Sequence, residues 1–407
     1  MYLSGMKRNL ISDIFSTPWI NLAILIFFFG SFFYTLFSLY KIANTIAPDF
    51  SVLWNAAKDL QASRNPYLNS ELYTGVGYPP NTLLFYLPLT LLPYHTSQVI
   101  FLFLSLLALV GSVYLSLLLT FKKFNKLFFL FGSSLVLISF PWKFTLGMGQ
   151  NNSISLLLIL FSLYFYLSKR DNTSGFFLGL SIALKTIFGF FLLFFLTQRK
   201  WKLISIALIV IAFSIVLSIR LSGSETNLYT YYIREVIPPL LNYEGREIYY
   251  NQGILGFISR LYPDLNLRKI LNGVVSLMLL ILITLISQIK KDKVLLVFSF
   301  FVISLLLIDS LSWQHHFVWL VFPFTELIYE TWKRRKYYLL YLIFVAYLLI
   351  SWNFKSPGSY FDFPKIIILS NTFYGSLILL FINIYLLLVP KRINLFKKEF
   401  GDQGEKG

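Results

Sequence analysis

The chain has 407 residues, of which 57% are hydrophobic and 13% charged, where a soluble domain carries about 25% charged residues. Its net charge of +17 lies in short clusters between long apolar runs, where membrane topology accounts for it, so nucleic acid is excluded as a partner. There are no cysteines, which excludes disulfides, thiol catalysis and cysteine-based metal sites.

The basic clusters are Lys7–Arg8, Lys122 with Lys123 and Lys126, Lys169–Arg170, Arg199 with Lys200 and Lys202, Lys290 with Lys291 and Lys293, Lys333 to Lys336, and Lys391–Arg392. Cytoplasmic loops attract Lys and Arg, so all seven are placed on one side of a bilayer. Spans are expected over 20–40, 97–120, 127–141, 151–168, 203–221, 269–289, 294–311, 315–332, 337–353 and 371–389. The runs are continuous rather than alternating, which excludes a β-barrel. The first run, Leu22 to Leu39, reads as an uncleaved signal anchor.

The run 174–197 lies between two basic clusters and must begin and end on the same side. It is expected to be a re-entrant helical pair with Lys185 near its tip, a simple span with one crossing missed elsewhere being the alternative. The fold class is then an all-α polytopic membrane protein of about ten spans plus that pair. Residues 1–396 form a single domain and 397–407 a polar cytoplasmic tail. The segments 41–96, 142–150, 222–268, 312–314 and 354–370 fall outside. The run 80–93 is too short to span and reads as half-inserted or interfacial.

On the first outside loop, Pro48 fits a helix start, and an amphipathic helix follows over 50–62. Asp49 stands where a carboxylate beside a transmembrane helix meets a lipid-borne substrate and can take a proton from a hydroxyl; capping the helix is the alternative. Asp59 and Glu71 are expected to be solvated. Arg64, near Tyr67 on the same loop, is a cation that can hold a phosphate. Tyr78 begins an extended stretch before Pro79–Pro80.

Gln150 and Asn151, with Asn152, open a helix and suit sugar hydroxyls, being both donors and acceptors; capping competes. Lys185, inside an apolar run, is expected either to meet a lipid phosphate or to snorkel or pair structurally. In 222–268, Arg234, Asn251 and Gln252 crowd between aromatics, and Asn251–Gln252 precede a helix whose apolar face includes Ile254, Leu255 and Ile258. Asp309, Trp313, Gln314, His315 and His316 sit at another outside boundary. Adjacent histidines do not share a helix face, so they do not form a two-histidine metal site. No glycine-rich phosphate loop and no metal-ligand spacing occurs.

Several strings together resemble glycosyltransferase family 87: PDFSVLWNAAKDLQASRNPY, GYPPNTLLFYLPLTLLP, GQNNSISLLLILFSLYFYLSKRDNTSGFFLGLSIALKT, NQGILGFISRL and SWQHHFVWLVFP, spread over about 45–330. The resemblance implies a GT-C fold and mannosyl transfer from polyprenyl-phosphate mannose to a glycan or lipid hydroxyl on the non-cytoplasmic face of the plasma membrane. It implies Asp49 as catalytic base and Lys185, with Arg64 or Arg234, on the donor phosphate. Tyr67, Tyr78, Gln150, Asn151, Asn251, Gln252, Trp313, His315 and His316 make up the sugar or acceptor set, and no metal or cofactor is expected. The lysine is commonly followed by proline in that family, whereas Thr186 stands here. A transporter or flippase of lipid-linked sugars, or a transferase using another polyprenyl-phosphate sugar, are the alternatives.

Overall fold

The computed structural model of the chain describes residues 17–68, 76–122, 125–222, 227–354 and 369–389. Lys7–Arg8, Glu71, Lys123, Lys391–Arg392, the tail 397–407 and most of the loop 354–370 lie outside these residues. Among the described residues the chain is helical without a strand, apart from an isolated antiparallel bridge between Asn251 and Trp313.

The apolar runs become helices close to the expected limits. In order they are α1 (Pro18–Ala43), α2 (Pro48–Gln61), α3 (Tyr94–Phe121), α4 (Lys126–Ile138), α5 (Phe140–Met148), α6 (Asn152–Leu167), α7 (Asp171–Leu184), α8 (Phe190–Thr197), α9 (Trp201–Leu221), α10 (Ile254–Leu261), α11 (Leu265–Ile289), α12 (Val294–Ile308), α13 (Val321–Lys333), α14 (Tyr338–Ser351) and α15 (Asn371–Leu388). Five of them, α1, α3, α9, α11 and α15, are each long and apolar enough to cross a bilayer, and α4 with α5 makes a sixth if counted as one path. Large apolar side chains such as Ile209, Phe213, Met278 and Ile281 are exposed on α9 and α11, as on lipid-facing helices of a multi-pass membrane protein.

Residues 142–148, expected as an outside segment, are helical, and α5 leaves α4 at 62°. Ser139 is extended there, and Pro141, in the first turn of α5, lacks the N–H that a continuous helix needs.

The chain doubles back at Lys185. Asp171 at the start of α7 and Lys200 after α8 form an ion pair of 3.6 Å, so the two ends of the segment meet. Between them α7 stops at Leu184, Lys185 is extended, and a 3₁₀ turn over Thr186–Gly189 leads into α8. Thr186 occupies the first position of that turn, where a proline is also accommodated. The carbonyls freed by the break are capped by side chains. Asn81 and Thr82 donate to Ala183 O at 3.2 and 3.0 Å, and Asn151 reaches Leu184 O at 3.5 Å.

The returning arm fills the core. Phe188, Phe191, Phe194 and Phe195 are fully buried, and Phe191 and Phe194 pack on Phe298 and Phe301 of α12. The outgoing arm α7 lies directly on α9, because Gly179 leaves no side chain where a Cβ would come within 2.6 Å of Val210 Cβ.

The amphipathic helix α2 forms a second, smaller core. Phe50, Leu53, Ala56, Ala57 and Leu60 are buried with Tyr86 and Phe101. Gln98 of α3 ties down the α1–α2 corner: its amide donates to Ile42 O and Thr45 O, both at 2.9 Å, and accepts Ala47 N–H at 3.0 Å. That corner fixes the position of Asp49.

Candidate active site

The turn at 149–152 is the hub. Helix α5 ends in a Schellman arrangement, with Gly149 left-handed at φ 67°, Gly149 N–H on Leu146 O at 3.1 Å and Gln150 N–H on Thr145 O at 2.9 Å. Glycine is required twice over. The conformation disfavours a side chain, and a Cβ would lie 2.6 Å from Phe50 Cβ. The turn therefore presses against the first turn of α2 and brings Gln150 onto Asp49.

Gln150 stands between opposite charges. Its Nε2 donates to Asp49 Oδ2 at 2.6 Å. Its Oε1 accepts from Tyr78 O–H at 3.0 Å and from Lys185 Nζ at 3.3 Å. Lys185 also donates to Asn152 Oδ1 at 2.6 Å and sits over the rings of Trp319, 5.5 Å away, and Tyr78, 5.9 Å away. Its side chain is 5% exposed, and a lysine so buried is normally paired with an acid. Here two amide oxygens take two of its three donors. Both partners are neutral amides, and one of the three donors is left for an anion.

Burial raises the Asp49 carboxyl above its ordinary range, while the Gln150 amide and the Lys185 charge pull it part of the way back. A carboxylate so placed is a stronger base than a solvated one.

Asn152 links this hub to the 3₁₀ segment Gln314–Leu320. Its Nδ2 donates to His315 O at 3.0 Å and Thr145 Oγ1 at 3.3 Å, and its own carbonyl accepts from Trp319 Nε1 at 3.1 Å. Three residues per turn eclipse His316 and Trp319, and their rings stack at 4.9 Å and 5°. His316 Nδ1 is 3.6 Å from Asp309 Oδ2. His315 packs its ring on Phe144 at 5.1 Å, and among the described residues neither of its buried ring nitrogens has a partner.

The structure thus brings together Asp49, Tyr78, Gln150 and Lys185, with His315 and His316 on the adjoining segment. Trp313 is half-buried with its ring 6.4 Å from that of His315. Tyr67 stands one step back, donating to Tyr78 O at 2.8 Å and stacking on Tyr231 at 6.0 Å.

Other expected residues are placed elsewhere. Arg64 lies beyond the far end of α2, about 20 Å from Asp49 at 1.5 Å per residue, and pairs with Asp59 at 2.7 Å. Asp59, expected in solvent, is buried to receive it. Arg234 is exposed on a π-helical turn over Tyr232–Val236. Asn151 caps the broken end of α7, as described. Asn251 donates to Arg246 O at 3.2 Å and Ser310 O at 3.1 Å. Gln252 donates to Tyr249 O and Leu369 O and accepts from Phe373 N–H at 3.2 Å. Both amides are committed to backbone and fully buried.

Trp319 is the member that the sequence did not single out. The i, i+3 spacing of His316 and Trp319 was the available signal, but it is meaningful only in a 3₁₀ register. Among the described residues no group of three His, Asp or Glu side chains comes together as a metal site.

No curated protein and no solved structure matches the chain. The family model that does match, glycosyltransferase family 87, covers residues 76–311. This stretch holds Tyr78, Gln150, Asn152, Lys185 and Asp309, with Asp49 on one side and His315, His316 and Trp319 on the other. A match over more than half of the chain, on a multi-pass helical protein, identifies it as a membrane glycosyltransferase belonging to glycosyltransferase family 87.

Proposed function

We propose that this glycosyltransferase moves a mannosyl group from polyprenyl-phosphate mannose to a hydroxyl of a cell-envelope glycan or lipid, with inversion, at the end of the bundle opposite the basic clusters. That end would face the extracytoplasmic side of the plasma membrane, in a GT-C architecture of about ten crossings. The observation that carries the reading is Gln150, which holds the Asp49 carboxyl at one end of its amide and the buried Lys185 amine at the other.

The chemistry follows from those two groups. Asp49 takes the proton of the acceptor hydroxyl as its oxygen attacks the anomeric carbon. The bond from that carbon to the phosphate oxygen breaks, and the electron pair leaves with the polyprenyl phosphate. Negative charge thereby grows where Lys185 has a donor to spare, in a site of low dielectric where a fixed cation counts most. Gln150 keeps the two charges from collapsing onto each other, so each remains available for its own partner. His315 offers unpartnered ring nitrogens to a sugar or acceptor hydroxyl, and Tyr78 offers a ring face. Arg64 and Arg234 are too remote or too exposed to be given the phosphate without a rearrangement of their loops.

The test is a screen of labelled polyprenyl-phosphate sugars with the purified protein and cell-envelope acceptors. Transfer of mannose, absent in Asp49→Asn, is the expected result. Transfer of a different sugar would replace the donor, and full activity of Asp49→Asn would remove the base.

A further inference from the structure

A second feature lies away from this site and is independent of the reading above. Helices α4, α13 and α14 do not close on one another. They leave two adjoining cavities of about 300 and about 370 Å³ that share Leu117, Phe131, Gly132, Leu135, Ile328 and Leu340 among their walls. Together these form one groove, running from Ser139 and Pro141 near α5 down to Phe121, Phe128 and Trp332 near the basic clusters. From Phe128 to Ser139 alone it is about 16 Å long at the helical rise.

Gly132 marks the floor. It lies inside a helix, where glycine costs about 1 kcal/mol relative to alanine, so a reason for its presence is expected. Close packing is not the reason: a Cβ there would meet only Val113 Cγ1, at 3.9 Å. Its effect is to keep the groove open.

The lower mouth is cationic. Tyr329 belongs both to the groove and to a cavity of about 850 Å³ whose charged lining is Lys122, Lys290, Lys293, Lys333 and Arg334 against Asp292, Glu326 and Glu330, a net positive set. Lys333 Nζ lies 5.0 Å from the centroid of the Tyr329 ring and 3.8 Å from Glu330, with its side chain 45% exposed. Glu330 itself is held by Arg334 at 2.8 Å. Lys122 is exposed directly after Phe121 of the groove.

An apolar channel of helix length that opens between lysines fits a lipid with hydrocarbon above and negative charge below. We propose that this groove binds one anionic glycerophospholipid, with an acyl chain over Gly132 and its phosphate at Lys122 and Lys333. The 3₁₀ segment separates this groove from the active site, since Phe317, Val318 and Leu320 line the groove while His316 and Trp319 stack toward Lys185. The lipid is therefore a bound companion of the fold and not a substrate.

The test is native mass spectrometry of the purified full chain titrated with phosphatidylglycerol or phosphatidylcholine. The wild type is expected to retain one phosphatidylglycerol in preference to phosphatidylcholine. Lys122→Gln and Lys333→Gln should each cut that preference about fivefold. Gly132→Leu, which fills the groove without touching a charge, should lose the lipid. Equal retention of the two lipids by the wild type would overturn the proposal, as would a Gly132→Leu protein that still retains phosphatidylglycerol. Displacement of phosphatidylglycerol by an equal concentration of polyprenyl phosphate would assign the groove to the donor instead. If Gly132→Leu does not fold, the two lysine variants decide. Each outcome is read from bound lipid, so it stands apart from the success or failure of the transfer assay.

Discussion

The segments Gly149–Asn152 and Asn251–Gly253 use nearly the same residues, glycine, glutamine and asparagine, to opposite ends. At 251–253 the amides are turned inward. Asn251 and Gln252 bind backbone groups of 246, 249, 310, 369 and 373 and so fasten the outer loop to α15. At 150 and 152 both amide oxygens and the Gln150 N–H meet Tyr78, Lys185 and Asp49, while only Asn152 Nδ2 is given to backbone, at His315 O. The difference teaches that residue type alone does not mark a site. What marks it is whether a buried amide is satisfied by backbone, which is structural, or by ionisable side chains, which leaves chemistry exposed to a ligand.

The comparison predicts separable phenotypes. The largest effect belongs to Asp49→Asn, which should lower kcat by roughly 10²–10⁴-fold, the usual worth of a general base, while leaving the melting temperature within a few degrees. Lys185→Met should follow, at about 10²–10³-fold, as for the loss of one preorganised charge-stabilising donor. It should also move the pH profile. Asp49 acts as the ionised form, and its carboxyl is already raised by burial, so transfer is lost as pH falls through that raised value. The Lys185 charge pulls it down; removing that charge raises it further and shifts the acidic limb to higher pH. An unshifted limb would break the link between the two residues.

Gln252→Leu should do the reverse. Leaving the carbonyls of Tyr249 and Leu369 and the N–H of Phe373 unsatisfied costs at least about 2 kcal/mol, read as a lower melting temperature, while kcat/KM per folded molecule is unchanged. A loss of kcat at full stability would move Gln252 into the site and erase the contrast. The smallest effect is expected from Arg64→Gln. Its pairing with Asp59 is on a side chain 67% exposed, and such pairs contribute little, so activity should stay within about twofold.

These contrasts also show what was legible in the sequence. Helix limits were, because apolar length and basic punctuation are set by the bilayer's thickness and charge rule. The exception was α5, where Pro141 bends the path without ending it. Asp49 and Lys185 were legible because an ionisable group beside or within an apolar run has few bland explanations. Choosing between neighbours on a turn was not. Asn151 caps the end of α7 and Asn152 faces Lys185, a distinction set by the left-handed Gly149 and not by composition. Arg64 and Arg234 lie off the hub for different reasons: the length of α2 carries Arg64 away from Asp49, and the position of Arg234 depends on how a long loop folds back.

The most direct measurement is a structure of the protein with polyprenyl-phosphate mannose bound. The donor phosphate should lie within hydrogen-bonding distance of Lys185 Nζ, with the anomeric carbon turned toward Asp49 across the Gln150 amide. A phosphate bound at the basic end of the bundle, or a sugar with Asp49 out of reach, would contradict the account.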